Sequence, residues 1–419
     1  MTDTPSPSCT TQPTAPFITR VQVENYKSIS HCDVRLGPFA VLLGLNAAGK
    51  SNFLDALRFL RDAVTGGPGE AVMTRGGLTD VLRRVPEPTD TLTIALEFQL
   101  PAPVHLSGDA QWEGRYEITL GRPRALGKAG WGGIRVVHEA CELGPAGAPP
   151  EAAFQVKDGV AVDPAGGKGL GRLRPGNLYL PLVSVSEPYA RLHEALTSMF
   201  FYDPDLAALR DARPATGADT LDEDGGHLGA VLGLVGTWEQ DRVSAYAGAV
   251  VPHLTEVGPT APTGDYVAAR MTMATGQGGA PQEFRAESMS EGTIRTIGLL
   301  TALFQPRARD GRISMVAVEE PELALHPMAA GVLFDALTEA SASVQVLATS
   351  QSAELLDRKE ADLSAILVVT ADDGVTTIGP VDAVSRSIVS DGLATMGELL
   401  RSDQLRSATP DSAPGGPAS

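Results

Sequence analysis

The spacing of apolar residues predicts strands and a helix in the first part of the chain. Apolar and polar residues alternate over 17 to 25, and a short apolar run over 39 to 43 predicts a second, more buried strand. A helix is predicted from about 51 to 64, where apolar residues fall at helical spacing at Phe53, Leu57, Leu60 and Val64. The short apolar strand therefore leads through a glycine-containing loop directly into an amphipathic helix.

Short stretches in the next part of the chain alternate between apolar and polar residues, with turn residues between them. This pattern predicts an antiparallel sheet over residues 91 to 162. The alternating stretches are 91 to 100, 115 to 120, 134 to 138 and 154 to 162. We expect them to form a β lobe beside the rest of the fold.

The second half of the chain contains three stretches with different predicted secondary structure. Residues 186 to 252 are expected to form a mostly helical insertion, and residues 256 to 282, rich in Gly, Thr and Pro, are expected to be weakly structured. From residue 284 the order strand, helix, strand, helix, strand predicts a parallel sheet with flanking helices. Asp372-Asp373-Gly374 lies between two short apolar runs and predicts a hairpin turn rather than a metal site.

Composition narrows the classes of function. The chain has 419 residues, of which 43% are apolar, and its formal net charge is -18. This predicts a globular body of one large or two medium domains. An acidic surface repels phosphate backbones, which excludes general coating of nucleic acid but leaves a local basic strip open. Residues 1 to 16 and 406 to 419 are expected to be disordered tails.

Cysteine usage and hydropathy predict a cytoplasmic protein. Cys9, Cys32 and Cys141 are scattered and form no disulfide or metal pattern, which suits a reducing compartment. No apolar run reaches the roughly 18 residues that a membrane span needs, so no membrane association is expected. The first residues also lack the basic and apolar regions of a signal peptide.

The loop before the first helix carries a phosphate-binding pattern. Residues Gly44 to Ser51 spell GLNAAGKS and fit G-x-x-x-x-G-K-[ST] in full. The glycines Gly44 and Gly49 let successive backbone N–H groups point into one concavity, to which the helix N-terminus adds its positive end. We expect Lys50 to reach the β- and γ-phosphates of ATP and Ser51 to be a ligand of Mg²⁺.

An acidic pair follows a second apolar strand. Residues 313 to 318 are mostly apolar and lead into Glu319 and Glu320. A buried strand that ends in two acids supplies what a Mg·ATP site needs opposite the loop. We expect Glu319 to hold the metal, directly or through water, and Glu320 to be the general base that polarises the attacking water.

A third short pattern precedes another apolar helix. Residues Ser288 to Arg295 spell SMSEGTIR, with Ser, Gly and Thr just before the helix. This composition suits a second anion-binding helix N-terminus, and it suits ordinary helix capping equally well. From these residues alone, both interpretations stay open.

Taken in order, these segments resemble the ABC-type, RecF/SMC-like ATPases of the AAA family, and more narrowly the stand-alone ATPases related to the OLD (overcoming lysogenization defect) proteins. The resemblance covers roughly residues 17 to 405. The segments that carry it are Asn25-Tyr26-Lys27-Ser28, Gly44 to Asn52, Ser288 to Arg295, Glu319-Glu320-Pro321-Glu322, Leu325-His326-Pro327 and Thr349-Ser350-Gln351-Ser352.

The resemblance implies an α/β fold class: an ABC-type P-loop ATPase head over 17 to 405, with the antiparallel β lobe at 91 to 162 and the helical insertion at 186 to 252. In that family two heads sandwich two ATP molecules, and the signature residues of one head complete the site of the other. Nucleotide contacts are implied for Lys27, Gly44, Asn46, Gly49, Lys50, Ser51, Asn52, Ser290 and Gly292.

Three points bear on the comparison with the family pattern. The family writes the acidic pair as Asp-Glu or Glu-Glu, and Glu319-Glu320 fits that usage. The switch histidine of the usual Thr-His-Ser is replaced by Gln351, which can donate a hydrogen bond to the γ-phosphate but cannot carry charge, so the turnover rate is in question. No long heptad array is present, so a coiled-coil arm of SMC length is not expected. No Q-loop glutamine can be assigned from the sequence.

Three functions remain as hypotheses. The first is an ATP-driven switch whose homodimerisation through ATP-sandwiched heads is coupled to an effector, a nuclease or toxin, or to DNA, as in the bacterial antiphage relatives. The second is a self-contained ATP-dependent nuclease, although only 67 residues follow Ser352, fewer than a separate catalytic domain usually needs. The third is a non-hydrolysing ATP-bound scaffold. Intact Lys50, Ser51 and Glu320 argue against the scaffold.

Overall fold

The computed structural model describes residues 17–101, 111–122, 133–157, 159–162, 169–276, 279–323, 325, 327–352 and 363–408. The predicted tail at 1 to 16, residues 409 to 419 of the second predicted tail, and His326 lie outside the described residues.

Strands occupy both halves of the chain. They are β1 (Ile18–Tyr26), β2 (Ile29–Arg35), β3 (Phe39–Leu43), β4 (Thr91–Pro101), β5 (Gln111–Gly121), β6 (Arg135–Pro145), β7 (Ala152–Lys157), β8 (Val160–Val162), β9 (Gly169–Arg172), β10 (Met199–Tyr202), β11 (Arg213–Pro214), β12 (Leu254–Pro259), β13 (Tyr266–Val267), β14 (Ala269–Met273), β15 (Gln282–Arg285), β16 (Met315–Glu319), β17 (Gln345–Ser350), β18 (Ile366–Asp372) and β19 (Val375–Pro380).

Helices alternate with these strands and are longest next to the central strands. They are α1 (Lys50–Thr65), α2 (Pro68–Met73), α3 (Leu78–Val81), α4 (Leu180–Val183), α5 (Tyr189–Thr197), α6 (Leu206–Arg210), α7 (Leu228–Leu232), α8 (Thr237–Val250), α9 (Glu291–Phe304), α10 (Pro306–Arg309), α11 (Pro327–Ala340), α12 (Ala383–Ser390) and α13 (Met396–Arg401).

One sheet runs through the molecule and changes character along its width. Its order is β10-β16-β17-β3-β18-β19-β2-β1-β4-β5-β6-β7-β8-β9. In this order, the first five strands (β10, β16, β17, β3 and β18) pair in parallel. The last eight strands, from β2 through β1 and β4 to β9, pair antiparallel. The β18–β19 hairpin joins the two parts, because β19 also pairs with β2. The sheet thus contains a parallel α/β core and an antiparallel lobe.

The core strands are covered on both faces, as parallel sheets require. Every residue of β3 is buried, and its residues alternate between two apolar clusters. Ala40 and Leu42 pack with α1 and the lobe, whereas Val41 and Leu43 pack with α9 and α11. Burying a Leu or Phe side chain contributes about 1.5–3 kcal/mol. These two layers therefore fix the end of β3, from which the glycine loop starts.

The orientation of helix α1 follows from the apolar residues that it buries. Its apolar stripe of Phe53, Leu57, Leu60 and Val64 is buried against the sheet, as its helical spacing predicts. The helix begins directly after Gly49, so the same packing that seats the stripe aims the N-terminus of α1 at the carboxyl ends of the parallel strands.

Two expectations about secondary structure differ from the structure. The stretch predicted to be mostly helical contains α5 to α8, but it also contains β10, which lies at one edge of the core sheet beside β16. The stretch expected to be weakly structured contributes β12 and β14, which form a separate sheet with β15. By contrast, the predicted hairpin at Asp372 to Gly374 is present, with Asp372 paired to Val375.

Among the described residues, none of the helices combines the length and apolar character needed to cross a bilayer.

Candidate functional site

The glycine loop is shaped by two close approaches of backbone. A Cβ on Gly44 would lie 2.2 Å from the carbonyl oxygen of Val369 in β18, so only glycine fits there without moving a core strand. Gly49 has φ +104°, in the left-handed region that favours glycine, and a Cβ there would lie 2.1 Å from Thr376 Oγ1. Both glycines of the predicted pattern are therefore required by the fold around the loop.

Lys50 points into the concavity of the loop. Its Nζ donates hydrogen bonds to the carbonyl oxygens of Gly44, at 2.9 Å, and Leu45, at 3.0 Å. The residue is only 5% exposed. Burial lowers the pKa of the Lys50 ammonium, while the negative charges of Glu319, Glu320 and Glu322 act in the opposite direction. The acids thus help to keep a buried cation charged at the centre of the loop.

Ser51 and Glu319 bring two oxygen ligands together. Ser51 Oγ donates to Glu319 Oε2 at 2.5 Å, across 268 positions of sequence. The two residues line one cavity of about 130 Å³ together with Asp203. Hydroxyl and carboxylate oxygens that meet beside an open space suit Mg²⁺, which keeps several waters and binds through few protein ligands plus phosphates. Ser51 and Glu319 would hold the ion, with Asp203 facing the same cavity.

Glu320 is held in an unusual backbone conformation. Its φ is +42°, and its backbone N–H bonds both the carbonyl oxygen (3.0 Å) and the Oγ1 (3.2 Å) of Thr349. Gln351 Nε2 donates to Glu320 Oε2 at 3.0 Å. The predicted base and the residue at the switch position are therefore in direct contact, because β16 and β17 are neighbours.

Glu322 adds a third acid behind this pair. Ser350 Oγ donates to Glu322 Oε1 at 2.6 Å, and the backbone N–H of Ser352 donates to Ser350 Oγ at 2.9 Å. Burial raises the pKa of Glu322, and the Ser350 hydrogen bond partly offsets that effect. The segment that contains Gln351 is thereby tied to the loop that contains Glu320.

Asn52 sits in a chain of hydrogen bonds under the loop. Its Nδ2 donates to Ser28 Oγ at 2.6 Å, and Ser28 Oγ lies 2.7 Å from Thr376 Oγ1. Thr376 Oγ1 also donates to the carbonyl oxygen of Ala48 at 2.9 Å. The Asn52 amide therefore supports the loop through Ser28 and Thr376, and its nucleotide contact stays a prediction.

Lys27 lies beside the same cavity. Its ammonium forms an ion pair with Asp55 of α1, with Nζ to Oδ2 at 2.5 Å. Asp55 also accepts from Tyr26 and Arg75, and its pKa is lowered by these partners although burial opposes the shift. Lys27 is thus near the predicted phosphate position, and its charge is balanced by Asp55.

Two segments of the chain are similar to a family model, and these segments contain the motifs of the site. Residues 39–119 and 272–357 match a family model described as an AAA domain, putative AbiEii toxin, Type IV TA system. Both matched segments contain part of the site, the glycine loop in the first and the acidic pair with Gln351 in the second. No curated protein sequence matches the chain.

Solved structures of SMC heads share the fold. An SmcHead bound to the C-winged helix domain of ScpA gives a TM-score of 0.52 at 12% identity, covering 88% of this chain and 100% of that chain. A Pyrococcus furiosus Smc head domain with an extended coiled coil, bound to the C-terminal domain of ScpA, gives 0.51 at 11% identity, covering 90% and 99%. The chain has the fold of the ABC-type, RecF/SMC-like ATPase heads. The predicted fold class is confirmed.

The predicted signature residues Ser290 and Gly292 lie at the N-terminus of α9. Ser290 caps α9, and its Oγ accepts from the backbone N–H of Thr293 at 3.2 Å. Ser290 is exposed and Gly292 is half-buried. Of the described residues, those that line the cavities at the loop include neither one.

Asn46 occupies the outer edge of the head's glycine loop. It is exposed and lines a larger cavity of about 660 Å³ between the loop, β18 and residues after α13. Its predicted nucleotide contact would be made from this exposed side of the loop.

Asp203 and Glu322 are residues of the head that sequence reasoning did not assign. Asp203 follows β10, whose register pairs Tyr202 with Val318, so it ends up beside Glu319. The four-residue apolar run before Asp203 was a usable signal, but it lies inside a stretch predicted to be helical. Glu322 was visible only as part of the family pattern, without a role.

Proposed function

We propose that this head binds Mg·ATP at the glycine loop and hydrolyses it. The observation that carries the proposal is the contact between the two halves of the site: Ser51 Oγ meets Glu319, and Gln351 meets Glu320. These contacts join the ends of β16 and β17 to the loop after β3. The match to an AAA family model and the SMC-head fold support the same function.

Each residue of the site has a distinct role in this proposal. The Lys50 ammonium and the loop N–H groups bind the β- and γ-phosphates, a charge-assisted contact that strengthens in a buried setting. Glu320 accepts the proton of the attacking water, and Gln351 orients the Glu320 carboxylate and donates to the γ-phosphate. Bound Mg²⁺ would supply charge neutralisation at the phosphates.

We further propose that hydrolysis drives a switch between separate and joined heads, with a nuclease, a toxin or DNA as the partner. The N-terminus of α9 supports the joined state, because Ser290 is exposed and neither Ser290 nor Gly292 lines the described cavities beside the chain's own glycine loop. The description of the matched family as a putative AbiEii toxin of a Type IV TA system favours a role in toxin–antitoxin or antiphage systems. The reducing cytoplasm remains the expected compartment.

Replacing Lys50 with alanine tests nucleotide binding. Lys50→Ala removes the buried cation that meets two phosphates, so ATP affinity measured by calorimetry should weaken by about 2–4 kcal/mol and phosphate release should stop. The matched control is Lys157→Ala, an exposed lysine at the end of β7 in the lobe, which should bind ATP as the wild type does. Unchanged affinity in Lys50→Ala would refute the assignment of the loop.

The same preparations separate the other two hypotheses. A self-contained nuclease would cleave DNA when Mg²⁺ or Mn²⁺ is added, and we expect no cleavage by the isolated chain. The described residues contain no cluster of three or more His, Cys, Asp or Glu arranged to hold a metal. A non-hydrolysing scaffold would bind ATP without steady-state phosphate release, whereas we expect release.

A further inference from the structure

We propose that Glu322 is a positioning residue for hydrolysis, which fixes the Gln351 amide on Glu320 by way of Ser350. The inference rests on the proposed ATP hydrolysis and assigns to this chain a residue that does not itself touch the nucleotide.

Glu322 acts on Gln351 through the hydroxyl of Ser350, which makes two hydrogen bonds. Ser350 Oγ donates to Glu322 Oε1 at 2.6 Å and accepts from the Ser352 N–H at 2.9 Å. Ser350 is fully buried, so water does not replace either bond when it breaks. A hydroxyl held at both ends cannot rotate, and residues 350 to 352 are therefore fixed relative to the loop after β16.

Gln351 lies between the two residues that Glu322 anchors. Its side chain leaves this fixed backbone and donates to Glu320 Oε2 at 3.0 Å. On the other side, the Glu320 N–H is bound twice by Thr349. The ends of β16 and β17 are thus joined by hydrogen bonds from both sides. Removing Glu322 would remove the hydrogen bond that holds Ser350, and with it the support of the Gln351 backbone.

The environment of Glu322 argues against a purely incidental acid. Among the described residues, its Oε2 is buried and has no hydrogen-bond partner. A buried carboxylate oxygen without a donor costs stability, and such a cost is more typical of a functional site than of an incidental core position. Burial lowers the pKa of Lys50, and the charge of Glu322 opposes that effect, so Glu322 also acts on the cation at the centre of the site.

The test compares variants that remove the brace with variants that keep it. Glu322→Ala and Ser350→Ala break the same hydrogen bond from opposite ends, and each should lower kcat about 10- to 100-fold, the scale of a small misplacement of a reacting group. ATP affinity should stay within about 3-fold, since neither side chain binds phosphate. Glu322→Gln keeps an oxygen that accepts from Ser350 and should retain turnover within about 3-fold.

Two controls separate positioning from loss of structure. Ser341→Ala removes another buried serine, whose hydroxyl donates to the carbonyl oxygen of Thr338 in α11, and it should leave kcat unchanged. The double variant Glu322→Ala with Gln351→Ala should turn over no more slowly than Gln351→Ala alone, because Glu322 acts through Gln351. A residue needed only for folding would lower kcat and ATP affinity equally, and its effect on kcat would add to that of Gln351→Ala.

The outcomes are distinct. Normal turnover in Glu322→Ala, equal losses of kcat and affinity, additivity with Gln351→Ala, or a Glu322→Gln variant as slow as Glu322→Ala would each overturn the inference while the proposed function stands. If Glu322→Ala fails to fold, Ser350→Ala and Glu322→Gln decide in the same way. A wild-type chain that releases no phosphate would overturn the proposed function and, with it, this inference.

Discussion

The side chain of Glu320 leaves a backbone that is itself strained. Residues other than glycine seldom adopt a positive φ, and the conformation costs on the order of 1 kcal/mol or more. It persists because the Glu320 N–H bonds Thr349 twice, which fixes the turn after β16. The consequence is that the carboxylate faces Gln351 rather than following the direction of the strand.

Glu320→Gln should bind ATP but hydrolyse it slowly. The glutamine oxygen can still accept from Gln351, so the geometry is kept and only the basicity is lost. Loss of a general base typically lowers the rate about 10²- to 10⁴-fold. Steady-state phosphate release and ATP affinity measure the two effects separately.

Glu319→Gln is the matched comparison at the neighbouring residue. It should weaken the dependence of ATP binding on Mg²⁺, because Glu319 meets Ser51 at the proposed metal position. Abolished turnover in Glu319→Gln together with normal turnover in Glu320→Gln would show that the two roles are assigned the wrong way round.

Individual residues differ in how far the sequence could place them. Gly44 to Ser51 form a local loop whose geometry follows from its own residues and flanking elements, so their positions were predictable. The contact of Gln351 with Glu320, and that of Ser350 with Glu322, depend on which strands become neighbours. Apolar spacing does not specify strand order, so these contacts needed the structure.

At the scale of elements, a buried acid connects the lobe to the helical part. Glu139 in β6 is fully buried and accepts hydrogen bonds from Tyr116 OH in β5, at 2.9 Å, and from the backbone N–H groups of Tyr179 and Leu180 at the start of α4, at 2.5 and 2.9 Å. Burial raises the pKa of Glu139 to about 7, although these donors act in the opposite direction.

This pKa predicts how stability depends on pH. Because the folded Glu139 carboxyl keeps its proton up to about pH 7, while the unfolded one loses it near its ordinary value of 4.5, stability is lost as the pH rises through this window. Relative to Glu139→Gln, the wild type should lose up to about 3 kcal/mol between pH 5 and pH 8. Chemical denaturation at the two pH values measures the difference.

The control for this prediction lies on the same strand. Glu142 is exposed on β6, and Glu142→Gln should show the same pH dependence as the wild type. If the free energies of unfolding of Glu139→Gln and the wild type change in parallel between pH 5 and pH 8, the burial of Glu139 does not contribute to the pH dependence of stability.

Elements with a clear period were predicted well, whereas short apolar runs were not. The stripe of α1 and the alternation of β4 each extend over several repeats, and their bounds differ from the expected ones by one residue. All four residues of β10 are buried, so the strand has no alternation and cannot be distinguished by pattern from a buried helix turn. Strands β12 and β14 were missed because Gly, Thr and Pro around them suggested a loop.

At the scale of the whole molecule, large apolar side chains are exposed on the surface around the site. Leu45 in the glycine loop is 49% exposed, and Leu323 shortly after the acidic pair is 55% exposed. The capped N-terminus of α9 is exposed as well. Association of two heads across their nucleotides would cover these groups and use the α9 donors, whereas a formal net charge of -18 opposes association without a ligand.

ATP, and not ADP, should therefore join two chains head to tail. In a two-fold arrangement, Ser290 and Gly292 of one head contact the γ-phosphate held by the other, and both sites close at once. The γ-phosphate is the group that connects the two surfaces, so its loss should open them. Sedimentation of Glu320→Gln with ATP, with ADP and without nucleotide measures this dependence.

Ser290→Arg in the Glu320→Gln background is the matched control, because it places a bulky side chain at the N-terminus of α9 without touching the glycine loop. We expect this double variant to bind ATP and to remain monomeric. A dimer that persists equally in all conditions would mean that another surface holds the chains together. A monomer in every condition would favour ordinary capping as the role of Ser290.

The junction between the core and the lobe lies directly beneath the glycine loop. Among the described residues, β19 and β2 pair through Thr376 and Ile29, and Thr376 also bonds Ala48 in the loop and contacts Ser28 at the turn before β2. Hydrogen bonds of one residue, Thr376, therefore connect the lobe to the glycine loop. We expect a mechanical load on the lobe, for instance from a bound partner, to act on the same hydrogen bonds as occupancy of the loop, so that each changes the work required by the other.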